Sequence, residues 1–225
     1  MNIDKLKVGI IGGTGEEGRG LALRWAMAGA QVIIGSRSIE RAQEAADELN
    51  KILGGEKIAC GTNEAAVADS EFVLLTVPFD YAASTLESLK DSFRAGAILI
   101  DITVPVSFEQ GRVRYVEPGE GSASEHLKTR LPENIPLVAA FKTEPAHMLL
   151  DPHAVLDCDT FVASDVKEAK ARVMEAIRFI DGLRPVDAGV LYSARCLERM
   201  TILLIGINRR NKIKTGRFRI LGLPE

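Results

Sequence analysis

The sequence predicts an α/β fold: a doubly wound parallel sheet with a small C-terminal helical part. Three observations predict it. Short, continuous apolar runs alternate with helix-like stretches along the first half of the chain, as they do when a parallel sheet is covered on both faces. The first run meets a glycine turn that opens a helix, Gly12-Gly13-Thr14-Gly15-Glu16-Glu17-Gly18. The chain from Leu191 to about Asn211 reads as one long helix. The expected division is residues 1–189 for the sheet domain and 190–225 for the helical segment.

Lys7 to Ile11 is the first expected strand and Glu17 to Ala30 the first helix. Gln31 to Gly35 is a second strand, followed by an Ala- and Glu-rich helix over Ile39 to Leu53. Lys57 to Cys60 and a short helix near Asn63 to Ala68 come next, then a strand over Phe72 to Val77, a helix over Tyr81 to Phe93 and a strand over Ala97 to Ile102. Right-handed crossovers between such strands give a doubly wound sheet. Ser107 to Glu120 is polar and rich in Gly and Pro, so it is expected to be a long surface loop. Ser122 and Glu125 form the S-x-x-E capping box of a helix expected to reach Leu131. Pro136 to Phe141 and Thr160 to Ala163 are further strands, Val166 to Ile180 is an amphipathic helix, and Pro185 to Gly189 is a last edge strand, since Pro suits an edge.

Apolar residues make up 46% of the 225 and charged residues 26%, which calls for a packed core rather than disorder. A net charge of −3 argues against general nucleic-acid affinity. Cys60, Cys158 and Cys196 form neither a disulfide framework nor a C-x-x-C. His126, His147 and His153 have no metal spacing, so no metal is expected. The N-terminus does not read as a signal peptide, and no apolar run is long enough for a membrane span; a cytoplasmic setting is the expectation.

Within the first turn, Gly13, Gly15 and Gly18 make G-x-G-x-x-G between a strand and a helix. Gly13 is expected to permit the turn, Gly15 to let backbone approach a pyrophosphate, and Gly18 to let helix and sheet pack closely. Thr14, Glu16 and Glu17 complete this edge of a dinucleotide site at the helix N-terminus. The second strand carries no acidic residue at its end to bond ribose hydroxyls; it ends Gly35-Ser36-Arg37-Ser38, with Arg41 one turn on. A hydroxyl and two guanidinium groups suit a 2′-phosphate, so NADP is favoured over NAD. The plainer alternative is that Arg37 and Arg41 merely solvate a helix start.

Ligands of such sheets lie outside the carboxyl ends of the strands. Val77, Pro78 and Tyr81 follow the fourth strand, and Val104 and Pro105 the fifth. They are candidates for the walls around the cofactor, with core packing as the alternative. The basic tail, Arg209 to Arg219, reads either as a rim that steers an anionic substrate or as a solvated helix end.

Taken together, these motifs resemble the NADPH-dependent reductases of coenzyme F420. The resemblance is carried by the glycine turn, Gly35-Ser36-Arg37, Thr76-Val77-Pro78, Val104-Pro105-Val106, Ile180-Asp181-Gly182-Leu183-Arg184-Pro185-Val186-Asp187-Ala188-Gly189 and Leu204-x-Gly206-Ile207-Asn208. It implies a Rossmann-type domain with a small helical part, a homodimer, and hydride transfer between NADP and a 5-deazaflavin. It implies that Thr14, Ser36, Arg37 and Arg41 hold the 2′-phosphate. It implies further that Val104, Phe141, Lys142, Thr143, Glu144, Pro145 and Leu191 wall a second-substrate cleft. Family members often carry His at the Lys142 position and an apolar residue at Glu144. Lys142 is therefore open to three readings here: a donor that, like backbone N–H groups, stabilises the negative charge of the reduced deazaflavin, a general acid toward a carbonyl or imine, or a surface Lys paired with Glu144. The second would make the chain an NADP-dependent dehydrogenase of a small metabolite. A non-enzymatic NADP-binding module is a third reading of the chain.

Overall fold

The computed structural model describes every residue except Gln110, Pro224 and Glu225. A six-stranded parallel sheet forms its centre, built from β1 (Lys7–Ile11), β2 (Gln31–Ser36), β3 (Ile58–Thr62), β4 (Phe72–Leu75), β5 (Ile98–Asp101) and β8 (Leu137–Ala139), in the order β3-β2-β1-β4-β5-β8. Strand order reverses beside β1, which pairs in parallel with both β2 and β4. That reversal opens a crevice at the carboxyl ends of β1 and β4. One antiparallel bridge, Ala139 to Ala163, links the sheet to a parallel pair formed by β9 (Cys158–Val162) and β10 (Leu183–Asp187). Pro185 lies in β10, whose one strand neighbour among the described residues is β9, and the edge expectation holds.

Alternate residues of each strand enter opposite layers, as the pleat dictates. Val8, Ile10, Phe72, Leu74, Ile98 and Ile100 pack with α1 (Glu16–Ala28), α2 (Ile39–Leu53) and α7 (Lys167–Ile177). Ile11, Val73, Leu75, Leu99 and Leu137 pack on the other face with α4 (Phe79–Leu89), α5 (Ala123–Lys128) and α8 (Ala194–Asn211). The long C-terminal helix thus buries Ala194 and Leu197 in the second layer of the sheet core.

Ser107 to Glu120 is not a long loop. It contains an antiparallel hairpin, β6 (Val106–Glu109) and β7 (Arg112–Tyr115). Val106/Phe108 and Val113/Tyr115 alternate with polar residues on either side of Gly111, which turns with φ of 75°. That alternation is a hairpin signal outweighed, on a sequence reading, by the polar composition. Half of the capping box forms: Glu125 N donates to Ser122 Oγ at 3.1 Å, while the Glu125 carboxylate accepts from Ser122 Oγ and Arg195, and the helix ends at Lys128 rather than Leu131. A short helix absent from the sequence reading, α6 (Ala146–Leu150), packs on α1. Buried Arg24 fixes it, donating to the carbonyls of Met148, Leu149, Asp151 and Ala154.

Candidate active site

The turn out of β1 is made by Gly12, not Gly13. Gly12 has φ of 69°, the left-handed region open to glycine, and its N–H donates to Asn63 Oδ1 at 3.1 Å. Gly13 is a packing position instead: a methyl group there would lie 3.1 Å from both Ile10 and Ile34. Gly15 N-caps α1 without a side-chain bond, and a methyl group there would meet nothing within 4 Å. The uncapped first-turn N–H groups of α1 therefore have open space for an anion. Gly18 packs as expected, since a methyl group would lie 2.8 Å from the Gly13 Cα. Changing Gly18 to Ala should cost about 1–3 kcal/mol through overpacking and weaken NADPH binding by displacing the turn. Thermal unfolding and nucleotide titration check this.

Beside the turn lies a cavity of about 400 Å³, lined by Thr14, Gly15, Ser36, Arg37, Arg41, Asn63, Val77, Pro78 and Tyr81. The structure thus gathers most of the expected nucleotide residues into one place. Ser36 is buried, whereas Arg37 and Arg41 are exposed. Neither guanidinium makes an ion pair among the described residues. Arg37 sits 5.9 Å from the centre of the Tyr81 ring. Two uncommitted cations beside a buried hydroxyl and an aromatic face fit an adenosine 2′-phosphate. Asn63 was missed by sequence reasoning, because a lone Asn starting a short helix gives no sign that it anchors a distant turn.

A second cavity, about 640 Å³, shares Thr76, Val77 and Pro78 with the first. Glu16 and Glu17 from α1, Val104, the segment Phe141 to Pro145, His147 and the α8 residues Thr201, Leu204, Ile205 and Asn208 line it, with Lys214 from the tail. Of the basic tail, Lys214 alone among the described residues faces this cavity. Arg209 instead donates to Gly111 O, and Arg219 pairs with Asp157. Two expected wall residues lie elsewhere. Leu191 is buried in the core layer under α8. Pro105 is buried at the base of the hairpin, where its carbonyl accepts from Val116 N at 3.0 Å. Among the described residues, two that line this cavity carry a buried oxygen without a hydrogen-bond partner, Glu17 Oε1 and Asn208 Oδ1; such groups are uncommon and mark places where a donor is wanted.

Lys142 is neither a surface residue nor paired with Glu144. Phe141 takes φ of 52°, rare for a bulky residue. Its ring packs edge-on to Trp25 at 5.4 Å. This twist sends Lys142 inward and Glu144 toward β9. The Lys142 ammonium donates to Asp101 Oδ2 at 2.9 Å and Thr103 O at 2.6 Å, and lies 3.3 Å from Glu198 Oε1. All three side chains are essentially unexposed. Burial alone would lower the Lys142 pKa, but Asp101 and Glu198 outweigh it and hold the ammonium above its ordinary value. Glu198 also accepts from Tyr115 Oη and from the Ala123 and Ser124 N–H groups at the start of α5. Asp101 accepts from Ser124 Oγ and Thr103. The network ties β5, the hairpin, α5 and α8 together beneath the second cavity. With three acceptors for its three protons, Lys142 has none free to give a substrate.

Glu144 Oε1 accepts from Thr160 Oγ1 at 2.6 Å and Oε2 from Thr143 N at 3.0 Å. Burial pushes its carboxyl up to about 7, against the pull of these two bonds. Burial also raises Glu17 well above the usual carboxylate range, helped by the charges of Glu144 and Glu16. A neutral Glu17 can bond a phosphate at this helix end, whereas an ionised one would repel it. Because the folded pKa of Glu144 is raised, the stability it contributes is present below about pH 4.5 and lost as pH climbs through about 7. Glu144→Gln should therefore flatten the fall in stability between pH 5 and 8 by about 3 kcal/mol. Thermal unfolding of both proteins at the two pH values reads this directly.

A family model described as coenzyme F420-dependent NADP oxidoreductase matches residues 7–105. Curated F420-dependent NADP reductases of Methanothermobacter thermautotrophicus and Methanocaldococcus jannaschii are 42% and 38% identical to this chain. The alignments cover 98% and 97% of it, and 97% and 99% of the relatives. The chain belongs to the F420-dependent NADP reductase family. Among solved structures, a protein from Arthrobacter sp. FB24, provisionally named an F420-dependent NADP-reductase, superposes with a TM-score of 0.81 at 22% identity, over 96% of this chain and 99% of that one. A glycerol-3-phosphate dehydrogenase from Coxiella burnetii gives 0.61 at 19% identity, over 82% of this chain and 54% of that one. These two likenesses establish the doubly wound Rossmann-type fold. No helix among the described residues is long and apolar enough to cross a membrane.

Proposed function

We propose that this protein is an NADP-dependent oxidoreductase that moves a hydride between NADPH and the 5-deazaflavin coenzyme F420. The observation that carries the reading is the shared wall at Thr76, Val77 and Pro78 between a cavity with uncommitted Arg37 and Arg41 and a larger cavity under α8. Such a wall lets two rings meet at the carboxyl ends of β4 and β5. Hydride transfer needs donor and acceptor carbons about 3–3.5 Å apart with aligned faces. The two rings supply the electron chemistry, and the protein orients them and excludes water. Arg37, Arg41 and Ser36 hold the nucleotide by its 2′-phosphate; the first turn of α1 holds the pyrophosphate. Val104, Phe141 and Leu204 shape the acceptor side, and Lys214 and Asn208 supply a cation and an acceptor for its polar edge.

Acid catalysis by Lys142 on a small carbonyl or imine is disfavoured, because its protons are held by Asp101, Thr103 and Glu198. Residues 1–189 bind the nucleotide in this reading, while 190–225 close the acceptor cleft and provide a homodimer contact. Tyr192 and Leu203, both more than half exposed at the outer side of this segment, suit such a contact. A cytoplasmic setting without nucleic-acid partners completes the reading. Loss of the deazaflavin absorbance band on adding NADPH tests it. Rapid loss with NADPH and slow loss with NADH is expected; no loss with either nucleotide, or faster loss with NADH, contradicts it.

A further inference from the structure

A ring that accepts a hydride must also take up a proton or carry a negative charge. Lys142 cannot serve, and the other groups facing the acceptor cavity narrow the choice. They are Glu16 and Glu17 on α1, Glu144 and Lys142 on the segment after β8, His147 on α6 and Lys214 on the tail. Behind Glu144 on β9, burial holds the Cys158 thiol up at about 12, so it stays neutral. Glu16 is exposed. Glu144 is nine-tenths buried, yet it lines the cavity, and each oxygen keeps a lone pair beyond its single protein bond. Glu17 lies near enough for its titration to feel the Glu144 charge, and its Oε1 is buried without a partner.

We propose that Glu144 and Glu17 form a carboxyl pair that delivers the proton accompanying the hydride, Glu144 to the acceptor and Glu17 between Glu144 and solvent. This rests on the deazaflavin reading above. In the direction of deazaflavin reduction, the C–H bond of the reduced nicotinamide breaks and its electron pair leaves with the hydrogen to the acceptor carbon. The ring nitrogen that gains the charge takes the proton from the Glu144 carboxyl. Glu144 is left as a carboxylate, and Glu17 returns a proton to it from water. In the reverse direction the Glu144 carboxylate accepts the proton. The pair titrates in sequence: Glu144, with two bonds that favour its anion, ionises first, and its charge keeps Glu17 protonated. One member is thus ready to give a proton when the other has lost its own.

The test is the pH dependence of single-turnover deazaflavin reduction by NADPH from pH 5 to 9, in the wild type, Glu144→Gln, Glu144→Asp and Glu17→Gln. The wild-type rate should fall above about pH 7. Glu144→Gln should lose about 100-fold in rate and this fall, while its Kd for NADPH at pH 5, where both carboxyls are protonated, stays unchanged; Glu144→Asp should recover much of the rate. Glu17→Gln should leave the fall in place, because Glu17 is neutral while Glu144 ionises, and should slow repeated turnover, which needs the returned proton; a large shift of the fall counts against the assigned order. Any titration of the free deazaflavin persists in all variants and so is separable. Infrared titration of the wild-type carboxylic-acid band, absent from Glu144→Gln, reads the same group without turnover. An unchanged pH profile in Glu144→Gln, or a wild-type rate flat from pH 5 to 9, overturns the proposal and leaves the reductase reading standing. No hydride transfer by the wild type at any pH overturns both.

Discussion

Replacing Lys142 with Met should lower the unfolding free energy by about 3–5 kcal/mol, because it strands the buried Asp101 and Glu198 carboxylates without their shared cation. At this chain length that corresponds to a fall in Tm of roughly 6–20 °C. The double variant Lys142→Met/Glu198→Gln should recover part of the loss, since it removes one of the stranded charges. Below its Tm, the single variant should still transfer hydride within about tenfold of wild type, the scale of a small misplacement of the cleft wall rather than loss of an acid. Thermal unfolding followed by circular dichroism, with the hydride-transfer rate measured at low temperature, separates the two effects. An unchanged Tm with a rate down by several orders of magnitude would return Lys142 to the role of acid.

Reversing the charge at Arg37 is expected to act on the nucleotide and spare the fold. Arg37 is exposed and its recorded contact is with the Tyr81 ring, so its loss should change stability by under about 1 kcal/mol. In Arg37→Glu a charge-assisted phosphate bond gives way to repulsion, and the KM for NADPH should rise about 100-fold or more. The kcat should hold, because the phosphate lies far from the reacting carbons, and the preference for NADPH over NADH should collapse. Steady-state kinetics with both nucleotides check this. An unchanged KM for NADPH would remove Arg37 from the site.

The proposed nucleotide half of the site was legible because its signals are local. A glycine turn between a strand and a helix, and a strand ending without an acidic residue, each occupy a few consecutive residues whose backbone roles follow from their positions. Even there, Gly12 rather than Gly13 makes the turn, and Asn63 pins it from 51 residues away. The acceptor half was less legible because it is assembled from distant segments. Nothing adjacent to Lys142 shows that Asp101 and Glu198 will surround it, and the twist at Phe141 that separates Lys142 from Glu144 depends on the Trp25 ring packed against it. Leu191 was placed in the cleft by resemblance, but in the short 3-10 turn before the C-terminal helix its apolar side chain packs into the core instead. The hairpin over Val106 to Tyr115 shows the opposite failure: its alternation was present in the sequence and was masked by polar composition.

The central claim is direct hydride passage across the wall shared by the two cavities. NADPH deuterated at the nicotinamide C4, used in a single turnover in ordinary water with mass analysis of the deazaflavin product, tests this most directly. With the label on the transferred face, one deuterium should appear on the product, and with the label on the opposite face none should. Product without deuterium from either labelled form, or no product at all, would contradict the account.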